Sequence, residues 1–270
     1  MKKYLIILFT LSIICIETSQ AQLRVYPTRV VLDSKHRSAK LSLKNMTNKA
    51  IRYKINTILM KMTPQGNLEF AKEGEVISTS AIEMFRYSPR RVSLDPKKEQ
   101  IVRVLLKAQS DIADGDYIAH MQFEEIIDEA ELKRMAEANK PKGNQGIAAV
   151  LRPLIAIAIP VVVRLGKPSA KVEISNLKPL QEKDTYVSFD LLKEGNAITW
   201  GDLKISHQKS GEKPKVIGNF QGIASYIPKR LVKYKLNDFH PNQGDKLVVE
   251  FLRPEEEGGE LIARSETQIP

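Results

Sequence analysis

The chain has 270 residues, a formal net charge of +10 and a single cysteine, Cys15. A chain of this length fills two domains of ordinary size, and each can bury a core without disulfides. The basic residues are scattered instead of forming blocks, which is typical of a solubilising surface and argues against nucleic acid as a partner.

The N-terminus is predicted to be a signal peptide over residues 1–21. Two lysines precede an apolar run over residues 4–16, and Ser19-Gln20-Ala21 offers small residues where a signal peptidase cleaves. The run is shorter than the roughly 20 residues that span a bilayer, which argues against a membrane anchor. Lipidation of Cys15 is an alternative, but Ile14 is bulky where such a site has a small residue. We expect an exported, periplasmic chain without a stable membrane anchor and, after cleavage, without cysteine.

The next hundred residues have the pattern of an all-β domain. Apolar and polar residues alternate in short segments between turn signals about every 8 to 12 residues, which predicts the strands of a β-sandwich. The predicted strands cover residues 23–32, 38–44, 50–61, 91–94, 100–108 and 116–126. Within the last of these, Tyr117 is predicted to form a tyrosine corner.

A polar connection breaks this pattern over residues 127–146. It is rich in Glu, Lys, Ala and Met, and a short surface helix over residues 129–138 fits it.

The most apolar stretch of the mature chain follows, over residues 147–165. Large residues alternate with small ones at period two, so Ile155, Ile157, Ile159 and Val161 point to one side of a predicted strand. Two interpretations remain open. The strand is either a central one buried on both faces, or its large residues serve both its own core and the core of a partner.

A second set of strands predicts a second domain, with a boundary near residue 167. The predicted domains therefore cover residues 22–165 and 166–270. The strands of the second are predicted at residues 171–174, 186–192, 203–208, 216–223, 231–236, 246–251 and 261–268, with hairpin turns at 194–196 and 257–260. Trp200 is predicted to lie in its core.

Three stretches resemble the pilus-assembly chaperones of the chaperone–usher pathway. They are residues 25–32 (VYPTRVVL) with 41–45 (LSLKN), residues 87–96 (YSPRRVSLDP) with 100–104 (QIVRV), and residues 115–117 (GDY) with 120–126 (HMQFEEI). The resemblance implies two immunoglobulin-like β-sandwich domains set at an angle. It also implies that the chaperone inserts its own strand into a pilin that lacks one, then delivers the subunit to an outer-membrane usher.

The resemblance also assigns roles to individual residues. A donor strand at about residues 154–163 would present Ile155, Ile157, Ile159 and Val161 to the pilin. Arg29 matches an arginine that binds the C-terminal carboxylate of the pilin, a task that suits the planar guanidinium fork.

The chain departs from the family at the second basic anchor. The lysine of the donor strand aligns with or near Pro160, so Arg90 and Arg91 are the candidates for this role, while Arg164 matches an arginine that braces the two domains. This departure resembles the non-classical, archaic branch of the family.

The sequence lacks the patterns of an enzyme. Its four histidines are widely spaced and are not arranged as metal ligands, and no phosphate-binding glycine loop or nucleophile elbow is present. We therefore expect no catalytic residues, no cofactor and no metal. The predicted partners are pilin subunits and an usher, with a monomer when free or a one-to-one complex with a subunit. The alternative is an exported immunoglobulin-like adhesion or structural module.

Overall fold

The computed structural model describes residues 22–107, 111–138, 156–237, 239 and 242–269. The predicted signal peptide and the first part of the apolar stretch, including Ile155, lie outside the described residues.

The strands up to residue 165 form one β-sandwich, called here the first sandwich, and one additional hairpin. They are β1 (Leu23–Tyr26), β2 (Val30–Leu32), β3 (Ser38–Asn45), β4 (Ile51–Ile58), β5 (Met60–Met62), β6 (Leu68–Phe70), β7 (Phe85–Ser88), β8 (Arg91–Leu94), β9 (Glu99–Leu106), β10 (Gly115–Glu125) and β11 (Ala156–Leu165), with helix α1 (Glu129–Ala138) between the last two. One sheet has the order β1-β3-β9-β7 and the other β2-β11-β10-β4-β8, while β5 and β6 pair as a separate hairpin. Neighbouring strands are antiparallel except β2 and β11, which are parallel.

The core of the first sandwich lies between its two sheets. Period-two alternation places one face of each strand there, as in β8, where Val92 and Leu94 are buried and their neighbours are exposed. Leu41, Leu43 and Phe123 are fully buried at the centre. Each buried side chain of this size contributes roughly 1.5–3 kcal/mol relative to an exposed one, so burial of these residues is a large favourable contribution to the stability of this sandwich.

The remaining strands form the second sandwich. They are β12 (Ala170–Gln181), β13 (Thr185–Gly195), β14 (Thr199–Gln208), β15 (Lys215–Ser225), β16 (Lys229–Lys235), β17 (Lys246–Leu252) and β18 (Leu261–Gln268), and a 3-10 helix (Glu255–Glu257) joins the last two. The sheets have the orders β12-β13-β16 and β15-β14-β17-β18. Phe189, Leu191 and Phe251 are fully buried between them.

The predicted fold class is confirmed, because the described chain is built from two β-sandwiches and a single α-helix. The helix predicted at residues 129–138 is confirmed as α1. The tyrosine corner is confirmed as well, since the Tyr117 hydroxyl donates to the carbonyl of Ala113 at 2.9 Å.

Two local predictions are wrong. Residues 23–32 are not one strand, because the chain leaves one sheet after Tyr26 and enters the other at Val30. Pro27 lies between the two segments and has no N–H for a sheet ladder. Residues 194–196 do not close a hairpin, because β13 and β14 belong to opposite sheets of the second sandwich.

The two sandwiches meet at a polar junction next to a small apolar one. The buried Asp116 carboxylate accepts two hydrogen bonds from Arg164, both at 2.8 Å, and one from the Ile198 N–H at 2.9 Å. Ile198 also packs with Ile118 and Val162 of the first sandwich. Asp116 therefore connects β11 of the first sandwich to the start of β14 in the second.

Candidate functional site

One half of β11 has an unpaired edge. All of β11 from Ala156 onward pairs with β10 on one side, but β2 covers the other side only at Val161–Val163. Among the described strands, none pairs with the free edge of residues 156–160. An edge of this kind presents backbone N–H and C=O groups to any strand that can add to it.

An apolar groove lies beside this free edge. It has a volume of about 600 Å³ and opens between β11 of one sheet and β1 of the other. Its lining residues are Leu23, Arg24, Val25, Thr28, Met46, Ile157, Ala158 and Ile159. Since β1 is itself an edge strand, both sheets of the first sandwich end at this opening.

The predicted donor residues divide into two groups. Ile159 is 4% exposed and Val161 is fully buried, and both belong to the core of their own sandwich. Ile157 is half-buried, packs against that core and lines the groove. The sequence left open whether this strand is buried in its own core or available to a partner. In the described part of β11, the C-terminal half is a buried central strand, and the N-terminal half has an open edge.

Arg29 lies just before β2, at a cleft between the two sandwiches. Its guanidinium stacks on the ring of Trp200, 4.7 Å from the ring centroid, and pairs with the carboxylate of Glu257. Trp200 is on β14 and Glu257 is in the 3-10 helix, so both partners belong to the second sandwich. Trp200 is only partly buried and forms part of the cleft, which differs from its predicted position in the core.

The cleft is larger than the groove and more polar. Its volume is about 1020 Å³, and both sandwiches line it. The first contributes Met62, Leu68 and Pro160, and the second contributes Tyr226, Asp202 and Arg230.

Two aromatic side chains are in contact at the cleft: Tyr226 is partly buried and lines it, and His120 is buried next to Tyr226. Burial raises the pKa of Tyr226 to about 12, so its phenol stays protonated at neutral pH. Burial lowers the pKa of His120 to about 4, so its imidazole stays neutral. The two rings are 6.1 Å apart, and neither ring nitrogen of His120 has a hydrogen-bond partner.

Arg230 is a second guanidinium at the cleft. One of its terminal nitrogens donates to the carbonyl of Ala224, while its buried Nε has no partner. The side chain packs on Gly66 of the β5–β6 hairpin, where φ is +82° and a Cβ would lie 2.1 Å from the Arg230 Nε. Sequence reasoning missed both Arg230 and Glu257, because no local motif surrounds either residue.

The structure does not bring the other predicted anchors to the cleft. Arg90 stacks on Tyr87 at 5.1 Å, and Arg91 begins β8, at the opposite edge of its sheet from β2. Arg164 binds Asp116 with two hydrogen bonds, and this contact raises the pKa of the guanidinium. Arg164 therefore reaches the second sandwich through Asp116, which also accepts the Ile198 N–H.

The described residues contain neither a cluster of metal ligands nor a membrane-spanning helix. No group of three or more His, Cys, Asp or Glu side chains is placed to hold a metal ion within these ranges. No helix in the described part of the chain is long and apolar enough to cross a membrane.

No protein-family model matches the chain, and no curated protein matches it in sequence. Several solved structures have a similar fold. The YadV chaperone is 13% identical, with 92% of this chain and 100% of that chain covered and a TM-score of 0.45. The CupB2 chaperone of Pseudomonas aeruginosa is 10% identical, with 92% and 100% covered and a TM-score of 0.43. A structure of the Salmonella enterica SafA pilin in complex with the SafB chaperone is 13% identical, with 93% and 98% covered and a TM-score of 0.40.

Proposed function

We propose that this chain is an exported chaperone that binds pilus subunits by adding its own strand β11 to an incomplete subunit sheet. The observation that carries the proposal is the free edge of residues 156–160 beside an apolar groove. The resemblance of residues 25–32, 87–96 and 115–126 to the pilus-assembly chaperones supports the same function.

An immunoglobulin-like subunit that lacks one strand has two defects. Its sheet has an unpaired edge, and its core is open to water where the strand is missing, so it aggregates unless both are covered. The free edge of β11 supplies backbone partners, which is the strand-addition mode of recognition. The neighbouring groove supplies apolar contact.

The affinity of this contact depends on the side chains at the opening. Each aliphatic side chain that becomes fully buried contributes roughly 1.5–3 kcal/mol before the costs of association. Ile157 is half-buried in the free chain and gains further burial when a partner closes the groove. Ile155, which precedes Ile157 by two positions in the alternating sequence pattern, is proposed to do the same.

The proposed function includes export and handover. The predicted signal peptide directs the chain to the periplasm, where it binds one subunit and delivers it to an outer-membrane usher. Release follows when a strand from the next subunit replaces β11, so the exchange itself supplies the free energy and no nucleotide or catalytic residue takes part.

Arg29 is proposed to bind the C-terminal carboxylate of the subunit. Its position at the cleft and its pairing with Glu257 support this role, because the guanidinium already holds a carboxylate there.

Co-expression with pilins encoded beside this gene tests the proposal. We expect the wild-type chain to co-purify with a pilin in a one-to-one complex. Ile157→Asp places a charge at the opening and should abolish recovery of the pilin. Ile101→Asp is the matched control, because Ile101 is 41% exposed on β9 and is not among the residues that line the groove. Equal recovery with both variants would show that β11 is not the binding strand.

A further inference from the structure

We propose that the β5–β6 hairpin is a second contact surface for the subunit that β11 holds, and that one apolar face of the hairpin packs against an apolar surface of this subunit. The identity of the partner as a pilin rests on the proposed function. The contact surface itself is defined by the geometry of the hairpin and of the cleft.

The hairpin has one apolar face and one charged face. The apolar face consists of two cross-strand pairs, Met60 with Phe70 and Met62 with Leu68. Directly opposite residues, and residues two positions apart on one strand, point to the same side of a sheet, so these four side chains lie together. Lys61 and Glu69 alternate with them and point to the other side. Lys61 there pairs with Glu75 at 2.8 Å.

The apolar face is largely uncovered. Phe70 is 62% exposed and Leu68 is 38% exposed, and both methionines are partly exposed. Among the described strands, β5 and β6 pair only with each other. Single exposed apolar residues are common, but several on one face of a ribbon mark an interaction surface. Methionine side chains suit such a surface because they adapt to the shape of a partner.

The hairpin is fixed in place by the second sandwich. In the turn between β5 and β6, the carbonyl of Pro64 accepts a hydrogen bond from the N–H of Leu231 on β16 at 2.7 Å. Gly66, in the same turn, lies against the side chain of Arg230. A surface that is ordered before binding loses less conformational freedom when a partner docks, so more of its contact energy appears as affinity.

The apolar face is continuous with the groove beside β11. Met62 and Leu68 line the cleft together with Pro160, the last residue of the free edge. Thr28 lines both the cleft and the groove, so the two open into each other. A subunit that adds a strand to residues 156–160 therefore comes to lie next to the hairpin. This continuity identifies the bound subunit as the partner of the apolar face.

Competition between two chains for one pilin measures the contribution of the apolar face. A pilin encoded beside this gene is refolded from urea into an equimolar mixture of the untagged wild-type chain and a tagged variant, each in excess over the pilin. Once the distribution is constant, the ratio of pilin recovered on the two chains equals the ratio of their affinities.

We expect Phe70→Ser to bind the pilin about tenfold more weakly than the wild-type chain, because the aromatic contact area is lost. Phe70→Leu keeps an apolar side chain and should bind less than about threefold more weakly. Phe70 is largely exposed, so both variants should unfold at the same urea concentration as the wild-type chain. Leu261→Ser is the matched control, because Leu261 is 54% exposed on β18 and is not among the residues that line the cleft or the groove.

Three results would overturn the proposal. The first is an equal affinity of Phe70→Ser and Leu261→Ser for the pilin, which would exclude contact with the hairpin. The second is an equal loss of affinity in Phe70→Leu and Phe70→Ser, which would exclude apolar contact. The third is an unchanged pilin ratio together with a shift of the free chain from dimer to monomer in Phe70→Ser, which would assign the apolar face to a second copy.

The variant Ile157→Asp separates this proposal from strand addition. If Ile157→Asp abolishes recovery of the pilin while Phe70→Ser binds it as the wild-type chain does, strand addition stands and the hairpin contact is wrong. If Phe70→Ser weakens binding while Ile157→Asp does not, the hairpin contact stands and strand addition by β11 is wrong.

Discussion

The neutral, buried His120 predicts a specific loss of stability in acid. Its imidazole is 1% exposed, and burial lowers its pKa from 6.5 to about 4. Since the unfolded chain takes up a proton near pH 6.5 and the folded chain does not until about pH 4, stability falls as the pH drops through this range. It is fully retained above pH 6.5 and levels off below pH 4. The loss reaches about 3 kcal/mol, because a tenfold change in a protonation equilibrium is worth about 1.4 kcal/mol.

The measurement compares urea unfolding of the wild-type chain and His120→Phe at pH 7 and pH 4.5. Phenylalanine keeps a ring against Tyr226 but cannot be protonated. We expect the wild-type chain to lose about 2.5 kcal/mol more than the variant between the two pH values. His36→Asn is the control, because the His36 side chain is 75% exposed. If the wild-type chain and His120→Phe lose equal stability, the imidazole is not held neutral by burial and the reasoning fails.

Three further predictions concern the cleft and the junction. Glu257→Gln should raise the affinity for the proposed pilin partner by up to about fivefold, since a partly exposed ion pair with Arg29 is worth about 0.2–1 kcal/mol. Gly66→Ala should lower the free energy of unfolding by about 1–3 kcal/mol, as urea unfolding would show, because φ is +82° and the new Cβ would meet the Arg230 guanidinium. Asp116→Asn should lower the free energy of unfolding by about 2 kcal/mol, below the 3–5 kcal/mol typical of a broken buried pair, because Arg164 is partly exposed.

Each of these variants has a matched control on the same chain. Glu256→Gln removes the same charge from the cleft rim without touching the Arg29 pair, so a gain equal to that of Glu257→Gln would contradict direct competition. Gly74→Ala has a similar positive φ, +77° against +82° at Gly66, but no atoms within 4 Å of its new Cβ, so it isolates backbone strain. Glu173→Gln changes an exposed carboxylate on β12, and a loss of stability as large as that of Asp116→Asn would refute the junction argument.

The strands were predictable where local pattern decides the structure. The segments at 91–94 and 261–268 match β8 and β18 to the residue, because alternation of apolar and polar residues reports directly on a two-faced sheet. The prediction of a hairpin turn at 194–196 is wrong because a glycine at positive φ, here Gly195 at +100°, occurs in a crossing between sheets as well as in a hairpin. Packing decides which sheet the next strand joins, and the turn residues alone do not indicate it.

The candidate site was predictable only in part, for a related reason. Arg29 was found because its neighbours form a stretch that resembles a known family. Arg230 and Glu257 lie 201 and 228 positions further along the chain, and nothing in their own segments distinguishes them from other surface charges. Their roles exist only because the second sandwich folds back against the first, which sequence periodicity does not describe.

The burial of Ile159 and Val161 in their own core bears on how strand addition works. A strand that offers a template must keep its shape, since an edge that is disordered before binding costs free energy to order. Pairing of Val161–Val163 with β2 and β10 fixes one half of β11, and this fixed half holds residues 156–160 in register beside the groove. On the proposed function, substitutions at Val161 should then lower the stability of the free chain, while substitutions at Ile157 should chiefly weaken subunit binding. The buried half of β11 thus positions the open half for binding.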